Sequence, residues 1–221
     1  MSSLLDPDND PTLGLHGDVP PGIPQPEAWV AFGAVADPED GYGDLLTGVR
    51  QFLDYFAAAR PDPVLIDRLT SQLRVWSTVL SDVVVGERDQ FFARRFDLPD
   101  HGQCLAPRFS ASELTHDHVA GITRFGRFHL GGNGAVHGGV IPLLFDEVLG
   151  WLATSGRPPC RTAYLHVDYR AIAPIGRDLQ VCGEFTLEEG RKRFLRGTLM
   201  DGDVLCAEVE ALFVELKPGQ P

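Results

Sequence analysis

The spacing of apolar residues predicts three helices. Apolar positions recur at three- and four-residue steps from 44 to 56 and again from 65 to 80, which is the spacing of one helical face. The segment 60–63 contains two prolines and separates these helices, because proline lacks the amide donor of a helix interior. A third helix, from about 139 to 154, is strongly apolar and follows a glycine-rich segment.

Beyond residue 159 the period of the apolar positions changes from 3.6 to 2. This alternation predicts half-buried strands over 163–170, 178–187 and 204–216, with hairpin turns at Glu189-Gly190 and Asp201-Gly202. Earlier strands are predicted over 108–114 and 118–130. The body of the chain therefore belongs to the α+β class, with an antiparallel sheet whose apolar face covers the third helix.

Charge is distributed unevenly along the 221 residues. The net charge is −12, and residues 1–44 contain nine acids, seven of the 17 prolines and neither Lys nor Arg. We therefore divide the chain into an acidic, proline-rich arm (1–44), a helical extension (45–100) and a body (101–221). No basic stripe is present, which argues against a nucleic acid partner.

The sequence also predicts the compartment. No stretch approaches 18 consecutive apolar residues, and the first residues lack a basic segment followed by an apolar one, so we expect no membrane span, no secretory signal and a cytoplasmic protein. The four cysteines are widely spaced, without a C-x-x-C pair, and are expected to be reduced.

Because no histidine or cysteine belongs to a complete ligand set, we expect no metal and no cofactor.

Candidate chemistry lies at the start of the third helix. His137-Gly138-Gly139 precedes the helix, where amide groups without an internal partner can bind a carbonyl oxygen that gains negative charge. Asp146 follows Gly139 by seven residues, which places it on nearly the same face about 10 Å along the axis. Taken alone, these residues could equally be a tight turn and an exposed acid on a surface helix.

The order of these residues resembles a known family. His137-Gly138-Gly139, then Asp146 nine positions after the histidine, then the strand 162–170 followed by Pro174 and Gly176, is similar to the PaaI-like hotdog-fold acyl-CoA thioesterases over about 108–216. The resemblance implies an antiparallel sheet wrapped around one long helix, an acyl-CoA substrate, and a homodimer or homotetramer in which two sheets join edge to edge.

The resemblance also implies catalytic roles. The amide of Gly139, or of neighbouring Gly138, would polarise the thioester carbonyl. Asp146 would act as general base for a water molecule or as a nucleophile, Thr162 would position the water, and His137 would orient the loop. Strict alternation along the strand, however, places Thr162 on the same face as the polar positions that follow it.

Four further residues are expected to bind substrate. Asp168, Arg170 and Lys192 are implied as contacts of the CoA moiety. Many relatives carry Asn or Gln six residues before the histidine, where this chain has Gly131, so Asn133 is the candidate for that role.

The separation of about 10 Å between Gly139 and Asp146 predicts a site shared between two subunits, since one small carbonyl cannot easily reach both groups on a single helix. An antiparallel partner helix would bring its own aspartate beside this glycine. Two other functions stay open from the sequence: a hotdog dehydratase or hydratase acting on acyl thioesters, and an acyl-CoA sensor without catalysis.

Overall fold

The computed structural model describes residues 41–98 and 100–220, so nearly all of the acidic arm lies outside the described residues. The two predicted helices near the start are confirmed as α1, Tyr42–Ala58, and α2, Pro63–Ser81. Asp62 begins α2, because its side chain accepts a hydrogen bond from the amide of Leu65 at 2.8 Å. Pro63 occupies the first turn, where its missing amide donor has no consequence.

In the part of the chain that the structure describes, eight strands and a third helix follow α2. The helix is α3, Val140–Thr154, as predicted. The strands are β1 (Phe109–Leu114), β2 (His118–Arg124), β3 (Leu130–Gly132), β4 (Ala135–Val136), β5 (Cys160–Tyr169), β6 (Asp178–Glu189), β7 (Lys192–Asp201) and β8 (Val204–Glu215). Six of them form one antiparallel sheet in the order β1-β2-β6-β7-β8-β5, while β3 and β4 form a small ribbon. The predicted α+β class is confirmed.

The predicted strand over 118–130 is too long. β2 ends at Arg124, and a 3-10 turn follows at Arg127–His129. The chain leaves the sheet to meet α1: Asp54 accepts a hydrogen bond from the amide of Phe128 at 2.9 Å and occupies the space that a side chain at Gly126 would need. Because Asp54 and Phe128 are far apart in the sequence, the local alternation of apolar and polar residues could not predict this contact.

Two glycines allow α3 to approach the sheet closely. Gly183 of β6 and Gly197 of β7 are paired across the strands. A Cβ atom at Gly183 would lie 2.6 Å from Leu149, and one at Gly197 would lie 2.5 Å from Phe145. Because both helix residues are fully buried, the missing side chains let α3 pack into the concave face of the sheet.

A buried arginine satisfies the end of α3. Arg193 is only 1% exposed, and its guanidinium donates to the carbonyl oxygens of Ala153 at 2.8 Å and Pro158 at 2.7 Å. The first of these is one of the last carbonyls of α3, which lack partners within the helix. Arg193 also pairs with Glu215 at 3.2 Å. It therefore joins the end of the helix to β8.

The two helices of the extension differ in how closely they contact the body. Arg50 of α1 donates to the carbonyl oxygen of Gln103 at 2.5 Å and pairs with Asp100 at 3.3 Å, so α1 is attached to the segment before β1. No residue of α2 is buried, and Trp76 is 64% exposed. Within the described ranges, no helix combines the length and the apolar character needed to cross a membrane.

Candidate functional site

One stripe of α3 stays open between the edges of the sheet. Most side chains of α3 are buried, but Leu143, Asp146, Glu147 and Gly150 are partly exposed, and Gly139 before the helix is exposed. These positions recur at three- and four-residue steps, so they share one side of the helix. The stripe connects the glycine pair at the start of α3 with the carboxylate in its middle.

Asp146 is held by Thr162, the hydroxyl that the family resemblance implies. The Thr162 hydroxyl donates to Asp146 Oδ1 at 2.7 Å. Thr162 is paired with the buried Phe213 and Tyr164 with Leu212, so Ala163 is an extra residue that forms a β-bulge. The prediction that Thr162 shares a face with the polar positions of the strand was wrong. The bulge shifts by one residue which side chains of β5 face inward, and it turns Thr162 toward the helix.

At the start of α3, His137 and Gly139 contact each other directly. The Gly139 amide donates to His137 Nδ1 at 3.1 Å, so this nitrogen carries no proton in this arrangement. The His137 amide in turn donates to the carbonyl oxygen of His129 at 2.8 Å. The Gly138 amide, in contrast, makes no hydrogen bond within the described part of the chain. The glycine pair thus offers one open donor and one that His137 occupies.

Tyr169 is a site residue that the sequence reasoning missed. Its hydroxyl donates to the carbonyl oxygen of Gly138 at 2.7 Å and fixes the peptide that enters the helix. On β5, Tyr169 faces the same side of the sheet as Leu165 and Val167, toward the helix, and it pairs with the buried Ala207. An inward tyrosine at the end of a strand was the signal that could have identified it.

Gly131 occupies the position at which the family resemblance implies Asn or Gln, and its surroundings leave no room for a side chain. A Cβ atom at Gly131 would lie 2.8 Å from the Cα atom of His137, so no side chain fits there. Asn133 lies at the tip of the β3–β4 turn with a φ of 50°, a left-handed conformation that asparagine tolerates. Its side chain is exposed and makes no hydrogen bond to the other predicted site residues, all of which the structure describes.

The structure places the expected CoA contacts in two groups. Arg170 donates to Glu208 at 2.8 Å and to Asp168 at 3.1 Å, and the hydrogen bond that Glu208 accepts raises the pKa of the guanidinium further. Two carboxylates therefore compete with any phosphate for Arg170. Lys192 is exposed at the start of β7.

These two groups lie at opposite ends of β5. Lys192 and Arg161 both pair with Val214, which places Lys192 near the Thr162 end. Arg170 follows Tyr169 at the other end, near Gly138. Arg161 and Arg170 are nine residues apart, so at about 3.3 Å per residue the strand separates the two ends by roughly 30 Å. One protomer therefore brings Asp146 and Thr162 together, and His137, Gly138 and Gly139 together, but keeps the two sets apart.

Comparisons with known proteins agree with this architecture. No family model matches the chain. Acyl-coenzyme A thioesterase THEM4 of Rattus norvegicus is 35% identical over 99 residues, which are 43% of this chain and 43% of the rat protein. The match thus spans less than half of that relative.

Solved structures extend the likeness to the fold. A crystal structure of a thioesterase superfamily protein has a TM-score of 0.68 and 24% identity, covering 82% of this chain and 94% of that one. The protein smu.793 from Streptococcus mutans UA159 bound to acetyl CoA has a TM-score of 0.46 and 19% identity, covering 48% of this chain and 87% of that chain. The first structure, together with the strand order, confirms the expected hotdog fold.

Proposed function

We propose that this chain is a hotdog-fold thioesterase and hydrolyses an acyl-CoA thioester to a carboxylic acid and CoA. The observation that carries the proposal is the Asp146 carboxylate, which lies on the open stripe of α3 and accepts the Thr162 hydroxyl at 2.7 Å. A carboxylate on an otherwise apolar helix requires a compensating partner or a role. Here it has one oriented partner and stays partly exposed to water.

The reaction needs one base and one oxyanion donor. Asp146 removes a proton from water as the water oxygen attacks the thioester carbonyl carbon. The hydrogen bond from Thr162 holds Oδ1, which leaves Oδ2 directed at the water. The carbonyl oxygen becomes an oxyanion, and the carbon–sulfur bond then breaks to release CoA thiolate, which takes up a proton. Attack by Asp146 itself, through an anhydride that water opens, gives the same products.

The amides at the start of α3 stabilise the oxyanion. The Gly138 amide is available in the free protein, and the Gly139 amide becomes available when the carbonyl oxygen replaces His137 Nδ1. Tyr169 restrains the same peptide through the Gly138 carbonyl. Both amides also lie at the positive end of the helix dipole, where negative charge is favoured.

The active site is formed by two subunits. The two sets of residues lie apart in one protomer, and an antiparallel pairing of α3 helices in a homodimer or homotetramer would place Asp146 and Thr162 of one chain beside Gly138 and Gly139 of the other. The same pairing would bring Lys192 from one subunit and Arg170 from the other toward one CoA molecule.

Thiol release from acyl-CoAs of short, medium, long and aromatic acyl groups tests the reaction. The wild type should release CoA thiol, and Asp146→Asn should lose at least 100-fold in kcat. If binding persists in the wild type without thiol release, the protein is not a hydrolase. Single turnover in ¹⁸O-labelled water detects an anhydride that water opens at the Asp146 carboxyl carbon, because only that route places label in Asp146.

Mixed dimers test the shared site. Asp146→Asn and Gly139→Pro each disable a different half, so dimers that contain one subunit of each variant retain one complete site. We expect these mixed dimers to recover up to half of the wild-type activity per dimer. Verified mixed dimers with no recovery would place the whole site within one subunit.

The contacts of α1 also bear on how the chain is divided into segments. We propose an arm at 1–44, a helical extension at 45–100 and the thioesterase body at 101–221, with α1 acting as part of the body through Arg50 and Asp54. We also propose a cytoplasmic location, which the four free cysteines support. Cell fractionation would test it.

A further inference from the structure

Helix α1 holds the turn that precedes the glycine-rich segment. The turn Arg127–His129 follows Gly126, which has no side chain to accept from the first amides of the turn. Asp54 of α1 supplies that acceptor from 74 residues away: its Oδ1 accepts from the Phe128 amide at 2.9 Å. The same carboxylate occupies the space that a side chain at Gly126 would need. Asp54 therefore caps a turn that cannot cap itself.

A second residue on the same face fixes α1 against the body. Arg50 precedes Asp54 by four residues, so the two side chains are neighbours on the helix surface. Arg50 donates to the carbonyl oxygens of Gln103 at 2.5 Å and of Ala106 at 3.3 Å. It also pairs with Asp100 at 3.3 Å. The place of the Asp54 carboxylate is therefore set by contacts that do not involve the turn.

The turn is connected to His137 through the backbone. The carbonyl oxygen of His129, the last residue of the turn, accepts from the His137 amide at 2.8 Å. The His129 ring packs edge-on against Phe125 and Phe128, with centroids at 6.0 and 5.7 Å, which restrains the residue further. The antiparallel pairing continues in the ribbon of β3 and β4. A displacement of the turn is therefore passed on to His137.

His137 directly contacts the amides that we propose bind the oxyanion. Its Nδ1 accepts from the Gly139 amide at 3.1 Å, and Tyr169 donates to the carbonyl oxygen of Gly138 between them at 2.7 Å. Because these residues are consecutive, a shift of the His137 backbone moves both the ring nitrogen and the glycine peptides. Three hydrogen bonds and one short turn thus connect Asp54 with the Gly139 amide.

We propose that Asp54 is a positioning residue of the oxyanion site. It fixes the turn Arg127–His129, and through this turn the loop that presents the two glycine amides to the thioester carbonyl. The inference rests on the proposed thioesterase function, since it assigns a further residue to that same site. It also gives a role to α1, which lies outside the segment 108–216 that resembles the family. Asp54 acts through the turn, so it is not itself a catalytic residue.

The kinetics of thiol release test this role. Asp54→Ala should lower kcat about tenfold with KM nearly unchanged, because a small displacement of the oxyanion donors matters most in the transition state. Asp54→Asn keeps an oxygen acceptor and should stay within about threefold of the wild type. Asp44→Ala is the matched control, because it removes an exposed acid from the first turn of the same helix. It should leave kcat unchanged.

Amide hydrogen exchange measures the same coupling without turnover. In the free protein, the His137 and Gly139 amides donate to the groups described above, and Asp54→Ala should accelerate their exchange at least about threefold. The amides of β7, in the middle of the sheet, should stay as protected as in the wild type, which separates a local effect from a general loss of stability. Asp44→Ala should change neither set.

Asp54→Glu gives a second version of the exchange test, should Asp54→Ala fail to fold. It keeps the charge, but its longer side chain does not fit against Gly126, so the same two amides should exchange faster. Unchanged exchange of these amides in both Asp54 variants would overturn the inference. A wild-type kcat in Asp54→Ala, or an equal loss in Asp44→Ala, would overturn it as well. If exchange responds as expected but the wild type hydrolyses no acyl-CoA, the proposed reaction fails while the positioning of the loop by Asp54 stands.

Discussion

Thr162 faces Asp146 because Ala163 adds one residue to strand β5. The hydroxyl reaches the carboxylate at 2.7 Å only after the bulge has reversed the side to which Thr162 points. Upstream of the bulge the inward residue is Thr162, and downstream of it the inward residues are Leu165 and Val167. A single inserted residue therefore supplies the polar partner of an acid that lies on an apolar helix.

The first prediction concerns this hydroxyl. Thr162→Val keeps the shape of the side chain but removes the donor to a charged group, which should lower kcat for thiol release about tenfold. Thr162→Ser keeps the donor and should stay within about threefold of the wild type. Equal loss in both variants, with unchanged thermal unfolding, would show that the hydroxyl does not position Asp146.

Tyr169 provides a second prediction. Tyr169→Phe removes the hydrogen bond to the Gly138 carbonyl and loosens the peptide that we propose binds the oxyanion. We expect kcat to fall about tenfold with KM nearly unchanged, since the restraint matters most when charge develops on the carbonyl oxygen. Tyr164→Phe is the matched control, because Tyr164 lies on the same strand, and its place beside the inward Leu165 puts it on the outer face. Similar kinetics in the two variants would exclude a positioning role for Tyr169.

Local periodicity predicted the elements well because each of them is decided by residues close in sequence. The three helices and the strands from β5 onward follow from their apolar spacing, and Gly190 and Gly202 adopt the positive φ of 58° that their turns require. The errors share another origin. The bulge at Ala163 and the exit from the sheet at Gly126 are set by segments distant in sequence, and the exclusion of a side chain at Gly131 is set by the backbone of His137 across a tight hairpin.

The candidate site shows the same difference between features that neighbouring residues decide and features that distant segments decide. Asp146 and the glycine pair were predicted from spacing and resemblance, and the structure places Thr162 beside Asp146 as the resemblance implies. The hydrogen bond from the Phe128 amide to Asp54 could not be predicted, since the two residues are 74 positions apart in the sequence. Asn133, chosen by proximity in sequence, instead lies exposed at the tip of a turn.

A third prediction tests the close approach of α3 to the sheet. Gly197→Ala would place a methyl group 2.5 Å from Phe145, so we expect a loss of about 1 to 3 kcal/mol in the free energy of unfolding. Gly48→Ala in α1 is the control, because no atom lies within 4 Å of the added methyl group. That variant should be neutral or more stable by up to about 1 kcal/mol. Equal stability of the two variants, measured by urea unfolding, would contradict the packing argument.

The fourth prediction is a pH dependence of stability. His101 has a pKa of about 4 in the folded chain against an ordinary 6.5, because it is buried. Between these values the unfolded chain binds the proton and the folded chain does not, so stability falls as the pH drops from 6.5 to about 4. The loss should reach about 3 kcal/mol.

His101→Asn is the variant that checks this dependence. The residue has a φ of 53°, which asparagine tolerates better than most replacements. Urea unfolding at several pH values should show a flatter profile between pH 4 and 6.5 in the variant. An identical slope in the wild type and the variant would assign the dependence to other groups.

A fifth prediction distinguishes the roles of two neighbouring basic residues, one in substrate binding and one in stability. Lys192 is exposed, so Lys192→Ala should raise KM for CoA thioesters several-fold while leaving Tm within about 1 °C, as is usual for an exposed position. Arg193 is buried and donates to the end of α3, so Arg193→Met should lower Tm by several degrees. An unchanged KM in Lys192→Ala would remove this residue from the CoA site.

The exposed helix α2 also affects how the protein behaves in acid. Leu73, Trp76 and Leu80 are 48%, 64% and 62% exposed, and such a surface adheres to other surfaces unless repulsion between molecules prevents contact. The net charge of −12 supplies that repulsion at neutral pH and vanishes near the isoelectric point of 4.9. Near pH 5 the loss of repulsion coincides with the acid destabilisation at His101, so we expect the protein to precipitate as the pH falls toward this value.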